Sequence, residues 1–365
     1  MRSTMKKLVV VVAALLAAVL FSACGVQMES AEIALVTDMG EVDDKSFNQG
    51  TWEGVQAYAA AHGITHRYYR PAATTDEGYY ATIEQAVKAG ARVVVTPGHP
   101  FAGPVARAQA AWPEVRFVLI DATPIGGAAA NTVAVHFAEE EAGYLAGYAA
   151  VYEGNRSLGF MGGLAVPSVV CFGFGFVQGA HDAAEVLDAE VEMLYTYTGT
   201  FTPGVKIEKT AAKWYADGVE VIFACGGEMG TSVFAAAEAA GAKAIGVDID
   251  QSTVSEAVLT SAMKELSAAV QLILEAHYTG AFTGGQELVL RAADRGVGLP
   301  MATSRFSRFS QSDYDSLFEK VAAGQVFIPT NTDATVDGGG ASQLPSICPN
   351  DLKKLTDRIV IKYLD

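Results

Sequence analysis

The feature that most constrains this chain is a unit that recurs along it: an apolar run, a loop bearing Gly or Asp, then an amphipathic stretch of helical period. The runs end at Val36-Thr-Asp-Met-Gly40, Val95-Thr-Pro-Gly-His-Pro-Phe101, Ile120-Asp-Ala-Thr-Pro124, Phe160-Met-Gly-Gly163, Phe223-Ala-Cys-Gly-Gly227 and Val247-Asp-Ile-Asp-Gln251. Strands alternating with helices predict parallel sheets, because a parallel neighbour is reached only through a crossover, most often a helix. Several of the helices can be delimited. Ser46 and Gln49 have the spacing of a capping box at the start of a helix through Trp52, Val55 and Ala59, which Gly63 ends. A second runs from Asp76 or Glu77 to Ala89 and stops at Gly90; a third runs from Thr231 to Ala240 and stops at Gly241.

Two such sets lie in tandem. Residues 131–137 read as an edge strand of the first sheet, 139–152 as a long helix leaving it, and 157–162 as the opening strand of a second sheet. Runs at 191–197, 219–223, 242–247 and 258–263 continue that sheet, and a helix over 266–278 returns to the first lobe. The expected architecture is α/β, two doubly wound parallel-sheet lobes joined by a hinge. One lobe comprises 32–137 with about 266–285; the other comprises 138–265 with about 286–365. A hinged pair of this kind has a cleft that collects the carboxyl ends of both sheets, where open α/β sheets hold ligands.

The first 31 residues stand apart. Arg2, Lys6 and Lys7 precede an apolar stretch over 8–21, and Phe21-Ser-Ala-Cys24 puts small residues before a cysteine. That is the pattern of a secretory signal peptide over 1–23, shorter than the roughly 20 apolar residues of a membrane span, with 24–31 as a linker. The tetrapeptide resembles a bacterial lipobox, which implies a diacylated Cys24 and a folded part held at the extracytoplasmic face of the cell membrane by lipid alone. Removing residues 1–23 takes away three Lys and Arg and no acid, so the net charge moves from −16 to −19. A surface that acidic repels nucleic acid and anionic headgroups.

Catalytic and metal motifs are missing. No GxSxG, P-loop, HExxH, CxxC or GxGxxG spacing is present, so neither an enzyme nor a cofactor is expected. Cys171, Cys225 and Cys348 are widely spaced, and Gly63, Ile64 and Thr65 argue against His62 and His66 as a helical metal pair. Asp43 and Asp44, adjacent in a turn, read as solvated or capping rather than hydrolytic.

The strand ends offer binding chemistry instead. The run Ile33–Val36 delivers Asp38, Phe47 and Asn48 to one place, a carboxylate and an amide able to read a heterocycle's edge beside a ring able to stack on it. Asp248 ends another apolar strand, where a carboxylate can accept from two vicinal hydroxyls; Asp250 is an alternative. Lys264 ends the next strand and either bonds sugar oxygens or pairs with Asp248. A second stacking ring is expected from among Phe101, Phe172, Phe174, Phe176 and Phe223, and Phe223 is favoured because it immediately precedes a strand-end loop.

The stretches Thr37-Asp-Met-Gly-Glu-Val-Asp-Asp-Lys-Ser-Phe-Asn-Gln49, Phe117-Val-Leu-Ile-Asp-Ala122, Gly162-Gly-Leu-Ala-Val-Pro167 with Phe172 and Gly175-Phe176, Cys225-Gly-Gly227, Gly246-Val-Asp-Ile-Asp-Gln251 and Leu259-Thr-Ser-Ala-Met-Lys264 together resemble the basic membrane protein family of bacterial lipoproteins. The resemblance runs from about residue 31 to about residue 330. It implies a type I periplasmic-binding-protein fold, a substrate-binding component of an ABC importer working as a monomer with a permease, and a purine nucleoside between the lobes. By the same resemblance the base contacts fall on Asp38, Phe47 and Asn48, with Asp121 supporting them and Asp248 favoured over Asp250 for the sugar. Three aspartates and one lysine would repel a phosphate, which favours a nucleoside over a nucleotide. Other readings of the same residues are a binding protein for a sugar, flavin or signalling molecule, a receptor-docking sensor, and a nucleoside hydrolase-like enzyme.

Overall fold

A computed structural model describes residues 30–328, 352 and 356–364. The first lobe runs β1 (Ile33–Val36), α1 (Phe47–His62), β2 (His66–Tyr69), α2 (Asp76–Lys88), β3 (Val93–Pro97), α3 (Ala102–Ala111), β4 (Arg116–Ile120) and β5 (Thr132–Phe137). Helix α4 (Glu139–Tyr152) carries the chain to the second lobe. There β6 (Ser157–Gly162), α5 (Pro167–Val186), β7 (Val191–Tyr197), α6 (Val205–Ala216), β8 (Val221–Cys225), α7 (Gly230–Ala240), β9 (Lys243–Asp248) and β10 (Val258–Lys264) follow. The chain then passes through α8 (Leu266–Tyr278), β11 (Gln286–Leu290), β12 (Val297–Gly298), α9 (Gln311–Ala322) and β13 (Ile359–Tyr363). None of the described helices is long and apolar enough to cross a membrane.

The sheets repeat one another. Their orders are β11-β5-β4-β3-β1-β2 and β12-β10-β9-β8-β6-β7-β13, so the five strands that open each lobe stand in the same spatial sequence, 2-1-3-4-5. In that order the chain reverses its direction of growth beside the first strand, and the loops leaving the first and third strands diverge to form a crevice. Strands β1, β3, β8 and most of β4, β6, β9 and β10 are buried throughout, as parallel strands covered on both faces must be.

Two expectations about the sheets fail together. Strand β11 was assigned to the second lobe, yet it pairs parallel with β5, from Gln286 opposite Val133 to Leu290 opposite Phe137. It thereby covers the strand expected at the edge. The physical reason is continuity: α8 packs on α1 of the first lobe, so the chain emerges beside β5 and pairs with the nearest open ladder. The chain then returns to the second sheet, where β12 pairs antiparallel with β10.

Helix ends follow the sequence signals where glycine sets them. Gly63 and Gly241 adopt φ of 66° and 64°, the left-handed conformation that closes a helix. His62 therefore ends α1 while His66 opens β2, and each ring's Nδ1 is engaged by a nearby carbonyl.

The apolar residues form three buried groups. One joins the inner helix layers of both lobes, and the other two lie beneath α2 and α3 on the first sheet and beneath α6 and α7 on the second. Within the inner layer α4 and α5 lie backbone against backbone. A methyl at Gly143 or Gly147 would overlap the carbonyl oxygen of Phe172 or Phe176, and one at Gly175 or Gly179 that of Glu140 or Tyr144. Helix propensity alone favours Gly147→Ala by about 1 kcal/mol. Overlap with the facing backbone should outweigh it and leave the variant about 2 kcal/mol less stable. Urea unfolding measures this; a midpoint at or above that of the parent protein would contradict the close packing.

Candidate functional site

A cleft of about 550 Å³ lies between the lobes where the two switch points face each other. The first lobe supplies Asp38 to Glu41, Asp44, Phe47, Asn48, Gly98 to Pro100 and Asp121; the second supplies Leu164, Val166 to Val169, Phe172, Phe201, Cys225 to Glu228, Asp248 and Lys264. Six of the residues singled out from sequence, Asp38, Phe47, Asn48, Asp121, Asp248 and Lys264, are thus brought to one cavity.

On the first lobe a network of short bonds fixes Asp38. The Asp44 carboxylate accepts from the backbone N–H of Ser46 at 2.9 Å and of Asn48 and Gln49 at 3.0 Å, so it caps α1. The capping box expected of Ser46 is not formed, because a carboxylate two residues upstream already satisfies those donors. Asn48 Nδ2 donates to Asp38 Oδ1 at 2.8 Å and to Asp44 Oδ2 at 3.0 Å, and Asn48 Oδ1 accepts from the Asp38 N–H at 3.2 Å. Both amide hydrogens of Asn48 are therefore committed to carboxylates, and the residue acts as a strut that aims Asp38. The Gly40 N–H also donates to Asp38 Oδ1, at 2.7 Å. Burial pushes the Asp38 carboxyl up to about 6 against the pull of these bonds, with Asp44 and Asp248 adding like charge.

The floor of the cleft is a charge cluster. Lys264, 2% exposed, places Nζ 2.5 Å from Asp121 Oδ2, 3.3 Å from Glu139 Oε1 and 3.5 Å from Asp248 Oδ1. The Phe47, Phe137 and Phe172 rings surround the same ammonium at 4.7, 5.6 and 5.5 Å. Asp121, just past β4, and Asp248, the last residue of β9, have φ of 59° and 68°, a left-handed conformation that Asp tolerates better than most residues. Three carboxylates hold Lys264 well above the usual ammonium range despite its burial. Burial raises Glu139 above the usual carboxylate range, and the Lys264 ammonium beside it pulls it back down. Asp121 Oδ1 is buried and has no hydrogen-bond partner among the described residues.

Of the rings expected opposite Phe47, Phe172 lines the cavity, whereas the favoured Phe223 does not. Phe223 is fully buried and packs against Phe160, Phe172 and Phe176 in the core of the second lobe, because its strand position faces the inner helix layer rather than the loop. The half-buried ring that the second lobe does bring to the cavity is Phe201, seated over Gly163, with its carbonyl accepting from Met229 N–H at 2.8 Å. Phe201 lies in an irregular loop, where periodicity gives no signal. Arg70 and Glu41, paired at 2.5 Å, and Glu228 also line the cavity unforeseen.

Cys24 and Cys348 lie outside the described residues; Cys225 is a buried free thiol. Among the described residues, two groups of donors come close enough to hold an ion: Glu139, Glu140 and Cys171, and His181, Asp182 and Glu185. Protein partners account for both, with Lys264 and Arg291 on the first and Thr356, Tyr144 and Gln178 on the second.

Removing one partner of a buried cluster strands the others. Lys264→Met should lower stability by about 3 to 5 kcal/mol at pH 8. In the variant the carboxyls' folded-state pKa values lie above their unfolded values, so stability is recovered as pH falls and they take up protons. Melting curves at pH 8 and pH 5.5 test this; a deficit equal at both would contradict it.

Known proteins resemble the chain in sequence and in fold. Residues 31–332 match the family described as Bmp, ABC transporter substrate-binding protein PnrA-like. The chain is 29% identical over 296 residues to the ABC transporter nucleoside-binding protein BmpA of Lactococcus lactis, covering 74% of this chain and 82% of that one. It is 25% identical to basic membrane protein A of Borreliella burgdorferi, over 88% and 95% of the two chains. Among solved structures, ABC transporter solute-binding proteins from Aeropyrum pernix and Conexibacter woesei share the fold, with TM-scores of 0.73 and 0.69 at 21% and 23% identity. They cover 83% and 82% of this chain, and 94% and 99% of their own lengths are matched. A match across this much of the sequence, with the fold its relatives share, shows that the chain belongs to the PnrA-like family of ABC transporter substrate-binding proteins.

Proposed function

We propose that the cleft takes a purine nucleoside and that the protein, tethered through a diacylated Cys24 at the outer face of the cell membrane, hands it as a monomer to an ABC permease. The Lactococcus relative bears the name of a nucleoside-binding protein, and a cavity of about 550 Å³ suits a ligand of that size. The observation that carries the reading is the unpartnered Asp121 Oδ1 beside Lys264 and Asp248. A buried acceptor without a donor costs about 1 to 3 kcal/mol, and a vicinal diol supplies the missing donors while Lys264 faces its oxygens.

The base belongs at the other end, so Asp121, which the family resemblance set beside the base contacts, is given to the sugar instead. Asp38, aimed by Asn48, accepts from ring or exocyclic N–H groups, while Phe47 and Phe201 offer faces for stacking, worth about 1 to 3 kcal/mol per base. As in its family, the work is binding and release; no bond is made or broken.

Two outcomes follow for calorimetry. The lining carboxylates Asp38, Glu41, Asp44, Asp121, Glu228 and Asp248 outweigh Arg70 and Lys264, and like-charge contact costs several kcal/mol. Inosine or guanosine should bind at least about a hundredfold more tightly than its 5′-monophosphate; comparable affinities would overturn the reading. Since Asp38 accepts from N–H groups more strongly with both oxygens of an ionised carboxylate than when one carries a proton, affinity should fall as pH drops through about 6. Asp38→Asn should flatten that profile. Undiminished inosine affinity of the parent protein at pH 5 would remove Asp38 from the base contact.

A further inference from the structure

We infer that Ser46 is a positioning residue that ties closure of the lobes to the orientation of Asp248, an inference that rests on the nucleoside reading only for its second readout. Ser46 is fully buried at the start of α1, and its side chain makes no cap bond because Asp44 holds the local N–H groups. The freed hydroxyl crosses between lobes and donates to Asp248 Oδ2 at 2.6 Å. Its neighbours cross too. The Lys45 carbonyl, on a residue with φ of 59°, accepts from Gln251 Nε2 at 2.8 Å. At Gly50 a methyl would come within 2.6 Å of Ile249 Cγ2, so the approach of the lobes there depends on a missing side chain.

Residues 45–50 of one lobe thus close on 247–251 of the other through protein atoms alone. Gln251 is rigid for this task, since its Oε1 accepts from Val247 N–H at 2.8 Å and its own N–H donates to Ser261 Oγ at 3.0 Å. Asp248 is held from both sides, Oδ2 by Ser46 and Oδ1 facing Lys264 at 3.5 Å. When the lobes part, Ser46 withdraws and Asp248 loses the donor that fixes its carboxylate. Closure and the grip of Asp248 are therefore one event, and the ligand is released when that bond opens.

Ser46→Ala, Ser46→Thr and Gln251→Glu test this in the mature protein dialysed free of small molecules, with circular dichroism confirming the fold. Gln251→Glu keeps the acceptor for Val247 N–H and removes the donor to Lys45. X-ray scattering without added nucleoside should find Ser46→Ala and Gln251→Glu more open than the parent protein and Ser46→Thr indistinguishable from it. Stopped-flow with inosine should show release from Ser46→Ala about tenfold faster, with association changed by less than about twofold. A parental scattering curve, or parental inosine release, for Ser46→Ala overturns the proposal. If the parent protein binds no inosine, the nucleoside reading fails by itself, and the scattering decides the role of Ser46.

Discussion

The Lys264 ammonium is the group on which both lobes lean. It comes from the last residue of β10, pairs with Asp121 of the opposite sheet and with Glu139 at the start of the crossing helix, and is enclosed by three aromatic rings. Burying an ammonium costs several kcal/mol unless its partners are close and numerous, and here three carboxylates meet that condition. The arrangement leaves one acceptor over, Asp121 Oδ1, at the floor of the cavity. A cluster that satisfies its cation and leaves an anion's lone pair unmet is suited to take hydroxyl donors and unsuited to take a phosphate.

That cluster can exist only because the two lobes repeat one strand order and face each other at their switch points. Asp121 and Asp248 occupy corresponding places, each at the carboxyl end of the fourth strand of its set in a left-handed conformation. Close helix packing keeps the inner layers thin: α4 and α5 touch through their backbones, and Gly54 of α1 lies against the backbone of Ser267 in α8. Two of the crossings between the lobes begin at Glu139 and just after Lys264, so the charge cluster lies beside the hinge.

Much of this was legible in the sequence where burial dictates composition. The central strands of both sheets are covered on both faces, so they read as unbroken apolar runs, and Asp38, Asp121, Asp248 and Lys264 stand at or just beyond their carboxyl ends. Strand β11 was misassigned because it is largely exposed, and its composition says nothing about which open edge it meets. Ser46 was misread because its spacing to Gln49 is a local signal, whereas Asp44 had already taken the donors and a carboxylate 202 residues away took the hydroxyl. Phe223 was misplaced and Phe201 missed for a similar reason. Strand position does not reveal which layer a ring faces, and irregular loops carry no period at all.

The measurement that bears most directly on the charge cluster is a crystal structure of the protein with inosine in the cleft. The ribose diol is expected within about 3 Å of Asp121 Oδ1 and the Asp248 carboxylate, with Lys264 still paired to Asp121 and the base at Asp38 between Phe47 and Phe201. Density showing the ribose away from Asp121, or Lys264 drawn off its carboxylates, would contradict the central claim.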